Sequence, residues 1–232
     1  MMTDTIAAPP ADVTPAPAPA PAPAPDWADQ AEQRVLDAAI ALAPALGWSA
    51  TLLAKAAAEA GLSPGEAMLL LPNGARDLAA LLSARHDRAA LDALTGVDPA
   101  GLKIRERIRR GVEARLDAAE ADAGAVRRWA GYLALPQNLG LALRLTWASA
   151  DGLWRWAGDT ATDENHYSKR AILSGILIST LAIRLQSGQA AASAYLDARI
   201  DNVMAFEKWK AGIKPADLAR DLAGALGRLR YR

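Results

Sequence analysis

The sequence predicts an all-α protein. Ala and Leu dominate its 232 residues, β-branched residues are sparse and only one Phe occurs, a composition that favours helix. From Trp27 onward, apolar residues recur at spacings of three and four, and turns with Gly or Pro separate the periodic stretches. We see no stretch with the period of a strand and no internal repeat. We therefore predict a helical bundle with an N-terminal helix-turn-helix-like part, a larger helical body and a C-terminal amphipathic helix.

The chain divides into three regions. Residues 1–26 are rich in Pro and Ala, with strict alternation from Pro15 to Pro25. Proline removes amide donors and favours extended backbone, so we predict a disordered leader. The helical domain is predicted over 27–212, with the helix-turn-helix-like part at 27–83 and the body at 84–212. The amphipathic helix is predicted over 215–232.

Individual helices follow from local signals. Gly47 ends the first helix, and the second covers about 51–60. Ser63 and Glu66 form a capping box that starts the third helix, with Pro64 at its first position. A longer helix ends near Leu94, and Asp98-Pro99 is predicted to cap the next one. The remaining helices are predicted at about 123–135, 138–157, 162–187 and 190–211, followed by one from Pro215.

Composition excludes several kinds of site. The chain has no Cys, which excludes disulfides, thiolate metal sites and Cys nucleophiles. Its two His residues, His86 and His166, are 80 residues apart in the sequence, and we predict no metal site, no cofactor and no catalysis. Overall charge is zero, but residues 34–232 carry a net excess of five positive charges. That mild excess is compatible with an anionic membrane surface and too weak to indicate a nucleic-acid partner.

No membrane span or targeting signal is expected. The longest apolar run, Ala171–Ile183, has 13 residues, contains Ser, Gly and Thr, and lies between Arg170 and Arg184. A span needs about 18 or more apolar residues. The N-terminus lacks the features of a secretory signal, and no Arg precedes Arg34, which argues against a mitochondrial transit peptide.

Residues 34–83 resemble the helix-turn-helix domain of TetR-type regulators in the order of their helices and turns. The helix that would read DNA contains no Lys, Arg, Asn or Gln, and its one charge, on Glu66, is negative. Base readout needs donors and acceptors that match the major groove, and phosphate binding needs cations. We therefore predict no nucleic-acid binding. A ligand-responsive TetR-type regulator remains the alternative function.

The most informative segment is 147–170, where a Trp-rich helix ends at Gly158-Asp159-Thr160 and a second helix opens with unlike polar groups. On that second helix one face carries four polar residues, flanked by His166 and Lys169; the four are Asp163, Tyr167, Arg170 and Ser174. One interpretation is a surface that recognises a partner. The other is an ordinary helix start in which Asp163 pairs internally with Arg170.

Two apolar sets are candidates for lipid contact. Large apolar residues at helical spacing in 139–183 line either a ligand cavity or an ordinary core; they are Leu139, Leu143, Trp147, Trp154, Ile172, Ile176 and Ile183. The last helix carries a leucine stripe with arginines beside it: Leu218, Leu222, Leu226 and Leu229, with Arg228 and Arg230. Such a helix either docks on the protein body or lies in a bilayer interface, and we predict the latter.

Residues 147–206 resemble the accessory proteins of ubiquinone (coenzyme Q) biosynthesis, the ninth of the numbered coenzyme Q proteins. The similarity lies in short groups of residues along this segment. They are Leu153-Trp154, 157–159, Thr162-Asp163, Asn165, Tyr167, 169–171, Tyr195-Leu196 and Arg199-Ile200. The resemblance extends over most of the chain from Arg34 to Trp209.

The resemblance implies a TetR-like homodimer that binds no DNA and holds an isoprenoid lipid or phospholipid in an apolar cavity. It implies docking on the di-iron demethoxyubiquinone hydroxylase through Leu153, Asp163, His166, Tyr167, Lys169 and Arg170, and membrane binding through the last helix. His166 stands where many members carry Trp. We therefore expect a non-catalytic accessory protein, cytoplasmic and peripheral to the inner (plasma) membrane.

Overall fold

The computed structural model describes the backbone of residues 27–160 and 164–212 and the side chains of 27–160 and 165–205. These ranges contain eight α-helices and no strand, which confirms the all-α, TetR-like fold class. The helices are α1 Trp27–Leu46, α2 Ala50–Glu59, α3 Pro64–Leu70, α4 Ala75–Ala93, α5 Ile104–Ala121, α6 Ala123–Leu133, α7 Leu139–Trp156 and α8 Glu164–Gly212. Two 3-10 turns, Pro99–Gly101 and Pro136–Asn138, precede α5 and α7.

The first four helices pack as the helix-turn-helix-like part. The Ser49 hydroxyl accepts a hydrogen bond from the backbone N–H of Leu52 at the start of α2. The predicted capping box of α3 is present, because Ser63 and Glu66 each accept a hydrogen bond from the other's backbone N–H. The indole N–H of Trp48 donates to the carbonyl of Ala75, which ties the α1–α2 turn to α4. Buried residues of these helices and of α6 form one apolar core.

A second core joins α5, α7 and α8. Gly188 interrupts α8 with φ 81° and ψ −177°, the predicted break between two helices. Arg184, before the break, pairs with Asp117 near the C-terminal end of α5, whereas Asp201, after the break, pairs with Arg105 near its N-terminal end. The chain therefore reverses at Gly188, and both arms of α8 lie along α5.

The predicted cap of α5 is wrong. The Asp98 side chain accepts a hydrogen bond from the N–H of Ala100 and caps the 3-10 turn that Pro99 opens. Leu102 and Lys103 then have extended backbone, and α5 begins only at Ile104. Asp98 and Pro99 therefore start the 3-10 turn, and α5 starts after that turn, at Ile104.

Among the described residues, one helix is long and apolar enough to cross a membrane, namely the segment Asn165–Ala205 of α8. From the sequence we predicted no span, because the apolar run Ala171–Ile183 is short and is flanked by Arg170 and Arg184. In the structure Leu173 and Leu177 of this segment are buried in the second core, and the side chain of Arg184 is buried in ion pairs with α5. A core helix of a bundle can be equally long and apolar, and we interpret α8 in this way.

Candidate functional site: an apolar cavity and the α7–α8 junction

An apolar cavity of about 530 Å³ lies between α4, α5, α6, α7 and the first arm of α8. Its volume is within the range of small-molecule sites, which are typically 300–1,000 Å³. Leu133, Leu139 and Leu143 line one side, and Leu177, Leu181 and Leu185 line the other. The chemistry of this lining suits a hydrocarbon chain, because it offers dispersion contacts and few polar groups.

The mouth of the cavity is apolar as well. Leu139 is 50% exposed, Leu143 is 64% exposed and Ile178 is 50% exposed, and all three also line the cavity. Leu135 is 42% exposed in the turn between α6 and α7. Apolar side chains that combine high exposure with a place in a cavity wall mark a lipid or protein interaction site more than they mark a core.

The structure divides the seven predicted lipid contacts into three groups. Leu139 and Leu143 line the large cavity. Trp154, Ile172 and Ile176 instead line a second cavity of about 250 Å³ between α5, α7 and both arms of α8. Trp147 and Ile183 line neither of these two cavities. Helical spacing alone does not distinguish these positions, because the cavity that a residue lines depends on which other helices the fold brings beside it.

Sequence reasoning missed most of the inner wall. Trp129 of α6 lines the large cavity, and its indole N–H donates to the carbonyl of Ala79. Ser83 of α4 and Arg115 of α5 also line it, although both are polar and buried. The available signal for Arg115 was its position three residues after Val112 and one before Leu116, both of which are buried in α5.

The α7–α8 junction is held by a buried arginine. Arg170 is 2% exposed, and its Nε donates to Asp151 Oδ1 at 2.6 Å. Its Nη1 donates to Asp159 Oδ2 at 3.1 Å and to the backbone carbonyl of His166 at 3.2 Å. A buried charge requires such partners, because its desolvation costs several kcal/mol.

The predicted exposure of three residues at this junction is wrong. Arg170 is buried for the reason just given, Ser174 is buried on the same side of α8, and Leu153 is 3% exposed. Leu153 packs against Gly111 of α5, where an added Cβ would lie 3.3 Å from its side chain. None of the three can contact a partner unless the bundle opens. Asp163 lies outside the described residues, so the proposed Asp163–Arg170 pair is not described.

A partly exposed aromatic patch lies beside the buried Arg170. The Tyr167 side chain is exposed, its ring centroid lies 6.2 Å from that of Trp147, and it meets His166 edge-on at 5.2 Å. Lys169 is part-exposed, pairs with Asp159 at 2.7 Å and lies over the Trp154 ring. Trp147, His166 and Tyr167 therefore share one surface, which we call the aromatic patch.

The remaining predictions concern the last helix, the Pro-Ala leader, metal binding and DNA binding. The membrane-binding residues Leu218, Leu222, Leu226, Leu229, Arg228 and Arg230 and the Pro-Ala leader lie outside the described residues. In the described part of the chain, no three His, Asp or Glu residues are placed to hold a metal ion. On α3, Met68 and Leu69 are 71% and 84% exposed, so the helix that would enter DNA presents apolar side chains.

Comparisons with known proteins match this chain to members of a single family. The family model described as COQ9 matches residues 139–207, which contain α7, the aromatic patch and nearly all of α8. A Xenopus laevis protein named ubiquinone biosynthesis protein COQ9-A, mitochondrial, is 30% identical over 172 residues, which is 68% of this chain and 52% of that protein.

The mammalian relatives agree. The rat protein named ubiquinone biosynthesis protein COQ9, mitochondrial, is 29% identical over 187 residues, covering 76% of this chain and 59% of its own length. The human protein of the same name is 29% identical over 164 residues, covering 68% and 52%. The chain thus spans a little over half the length of the curated relatives it matches. The sequence-based resemblance is confirmed by these matches, and the chain belongs to the COQ9 family.

Proposed function

We propose that the protein is a non-catalytic lipid-binding accessory protein of ubiquinone biosynthesis. It binds an isoprenoid or quinone precursor at the membrane and presents it to the di-iron demethoxyubiquinone hydroxylase. The single observation that carries this proposal is the apolar cavity with its exposed apolar mouth at Leu139, Leu143 and Ile178. The names of the COQ9 relatives place those proteins in ubiquinone biosynthesis.

The energetics explain why a cavity is useful. A polyprenyl chain drawn into water costs about 0.8 kcal/mol for each CH₂ group that becomes exposed. The apolar cavity wall replaces the hydrocarbon contacts that the lipid loses in the bilayer. The exposed leucines at the mouth extend that apolar surface outward, so a chain can move from bilayer to cavity with little of it in water.

Contact with the hydroxylase is proposed to involve the aromatic patch of Trp147, His166 and Tyr167. Exposed Tyr and Trp are enriched among the residues that dominate binding at protein interfaces. Part-exposed Lys169 borders this patch and remains a proposed contact. Arg170 supports the patch from behind by joining α8 to Asp151 of α7, and Leu153 packs α7 against Gly111 of α5. The homodimer is proposed from the family resemblance.

Membrane binding is proposed to come from the leucine stripe at 218–229. Deleting residues 215–232 is expected to abolish flotation with anionic liposomes and to leave thermal stability unchanged, because both described cores lie within 27–212. The variant Leu222→Asp with Leu226→Asp is expected to behave like the deletion. Undiminished flotation of both variants would assign membrane contact to another part of the chain.

A regulator of transcription is not favoured. The exposed residues of α3 other than Glu66 are apolar, and the Glu66 carboxylate already accepts a hydrogen bond from the backbone N–H of Ser63. We expect no sequence-specific binding to duplex DNA at moderate salt. A salt-resistant footprint on one operator-like site would favour the regulator instead.

Lipid extraction and mass spectrometry test the lipid-binding proposal directly. Ala142 lines the cavity, whereas Ala148, six residues further along α7, is exposed and lines neither cavity. The Ala142→Phe variant is expected to fill the cavity and lose co-purifying isoprenoid or phospholipid. The matched Ala148→Phe variant should retain it. Wild-type protein that repeatedly yields no lipid, or equal lipid in both variants, would contradict the proposal.

A further inference from the structure

The polar lining of the large cavity is concentrated at its buried end. Ser83, Arg115 and Ser149 all line the cavity and are only 2%, 7% and 5% exposed. The residues at the mouth, by contrast, are leucines and an isoleucine that are at least half exposed. We call the three buried residues the polar floor. A cavity that needed only to hold hydrocarbon would have no use for a polar floor, because buried polar groups cost free energy.

A carboxylate from outside the cavity wall holds this floor in place. Asp87 Oδ1 accepts from Arg115 Nε at 2.6 Å and from the Ser149 hydroxyl at 2.6 Å. Asp87 itself does not line the cavity. The acceptor therefore lies behind the floor, and it fixes the guanidinium and the hydroxyl from that side.

The guanidinium retains donors on its other side. Arg115 Nη2 reaches only the Ser83 hydroxyl, at 3.5 Å, a distance at which a hydrogen bond is weak. Among the residues that the structure describes, none accepts a hydrogen bond from Nη1. A guanidinium carries five N–H donors in a fixed plane, so several of them can serve a bound molecule. The free donors of the floor therefore belong mainly to Arg115, because the one hydroxyl proton of Ser149 is already donated to Asp87.

The charge of the floor limits what those donors can bind. Arg115 and Asp87 form an ion pair, so the site has no net charge. An anionic ligand would bring a second negative charge close to Asp87 in a region of low dielectric, where like charges repel strongly. A neutral oxygen acceptor, such as a quinone carbonyl or a phenol oxygen, takes up the donors without that penalty.

We infer that Arg115 and Ser83 in the polar floor recognise a neutral oxygen of the ligand head group. The head is then held at the buried end of the cavity until it is handed to the hydroxylase, and the tail leaves through the mouth. This inference rests on the proposed lipid-binding function and adds to it the head-group chemistry and the orientation. The apolar mouth at Leu139, Leu143 and Ile178 then contacts the tail where it returns to the bilayer.

Calorimetric titration with three tail-matched probes tests the inference: a short-tailed isoprenoid benzoquinone, the corresponding hydrocarbon and the corresponding carboxylate. Wild-type protein is expected to bind the quinone roughly tenfold or more tighter than either other probe, as hydrogen bonds to a charged donor imply. Binding of none of the probes would overturn the proposed function together with this inference. Equal binding of quinone and hydrocarbon, or tighter binding of the carboxylate, would overturn this inference alone.

Variants locate the effect within the cavity. Arg115→Lys keeps the charge beside Asp87 but removes the planar set of donors, and it is expected to lower quinone affinity roughly tenfold with hydrocarbon affinity unchanged. Ser83→Ala is expected to lower it by about threefold. The control is Ser179→Ala, which also removes a serine hydroxyl, but one that donates to the Gly175 carbonyl and lines neither cavity. If Ser83→Ala and Ser179→Ala have the same effect, or if folded Arg115→Lys binds quinone like wild type, the floor does not bind the head group.

Discussion

Arg170 donates from Nε to Asp151 Oδ1 at 2.6 Å, and this pair links the first turns of α8 to the middle of α7. Asp159, in the turn between the two helices, accepts from the same guanidinium and from Lys169. The junction is therefore a network that includes two acids and three bases, because Arg155 also pairs with Asp151. Arg170 and Asp159 are its buried members. Its role is to hold α7 and α8 in the orientation that exposes the aromatic patch.

Replacing Arg170 is expected to destabilise the protein. Arg170→Met should lower the free energy of unfolding by about 3–5 kcal/mol, because it removes the buried cation that Asp151 and Asp159 share. Urea unfolding followed by circular dichroism measures the change. The control is Arg155→Met on α7, whose side chain is 74% exposed and pairs with the same Asp151; there we expect at most about 1 kcal/mol. Similar losses in both variants would contradict the structural role of Arg170.

The error over Arg170 shows which part of the site the sequence can predict. Helical spacing correctly placed Arg170 and Ser174 on one side of a helix. It gave no information on what covers that side, because Asp151 and Asp159 come from the preceding helix and turn. Exposure depends on tertiary packing, whereas the order of helices depends on local signals such as Ser63 and Gly188, and these local signals were interpreted correctly.

The cavity illustrates the same limit. Leu139 and Leu143 were predicted from a local apolar pattern and do line it. Ser83, Arg115 and Trp129 were missed, since they lie on three other helices that the fold alone brings together. An Arg within a basic helix looks solvated in the sequence, and only the position of Asp87 on α4 shows that Arg115 points inward.

Gly188 is expected to be required for the reversal of α8. Its φ of 81° with ψ near 180° is a combination that is essentially restricted to glycine, and a side chain there costs about 1–3 kcal/mol in backbone strain. No atom lies within 4 Å of an added Cβ, so Gly188→Ala isolates that strain from any clash. Thermal melting should show a clear loss of stability.

Gly175 provides the matched control for this prediction. It lies in the first arm of α8, without a positive φ, and an added Cβ also meets nothing within 4 Å. Gly175→Ala should therefore stabilise the helix, by up to about 1 kcal/mol, through helix propensity alone. If both variants change the melting temperature in the same direction, backbone strain at Gly188 is not the cause.

His86 is expected to make stability depend on pH. Burial lowers the pKa of His86 below its ordinary value of 6.5, and the nearby charge of Arg115 lowers it further, although the hydrogen bond with Asp122 opposes the shift. As pH falls through 6.5, the unfolded chain binds a proton that the folded chain still excludes. Stability should therefore decrease with falling pH below about 6.5, until the lower folded-state pKa is passed.

The variant His86→Gln tests this linkage. It removes the titrating group but keeps a side chain that can hydrogen-bond to Asp122, so the loss of stability between pH 7 and pH 5.5 should be smaller than in wild type. Urea unfolding at several pH values gives both slopes. The overall stability of the variant does not matter for the comparison, because only the slope reports the proton. Parallel slopes for variant and wild type would show that His86 does not cause the dependence.

Tyr167 is expected to contribute to hydroxylase binding with little effect on folding. The proposed docking function places it at the centre of the aromatic patch, where its side chain is 64% exposed beside Trp147 and His166. Tyr167→Ala should weaken binding to the hydroxylase by roughly 1–3 kcal/mol, the range for an aromatic anchor at an interface. The free energy of unfolding should change by at most about 1 kcal/mol, because the ring loses only its contacts with Trp147 and His166. Binding is measured by titration of purified hydroxylase, and stability by thermal melts of the same samples.

The control for Tyr167→Ala is Leu69→Ala on α3, which also removes a large exposed side chain, but from the helix-turn-helix-like part. It should leave hydroxylase binding unchanged, which separates a specific patch from general loss of apolar surface. A second variant, Tyr167→Phe, keeps the ring and should retain most of the affinity if stacking with Trp147 positions it. Lipid content should be the same in all three variants, because Tyr167 and Leu69 line neither cavity. Full-strength binding by a folded Tyr167→Ala variant would remove the aromatic patch from the proposed docking surface and direct attention to other exposed faces of α7 and α8.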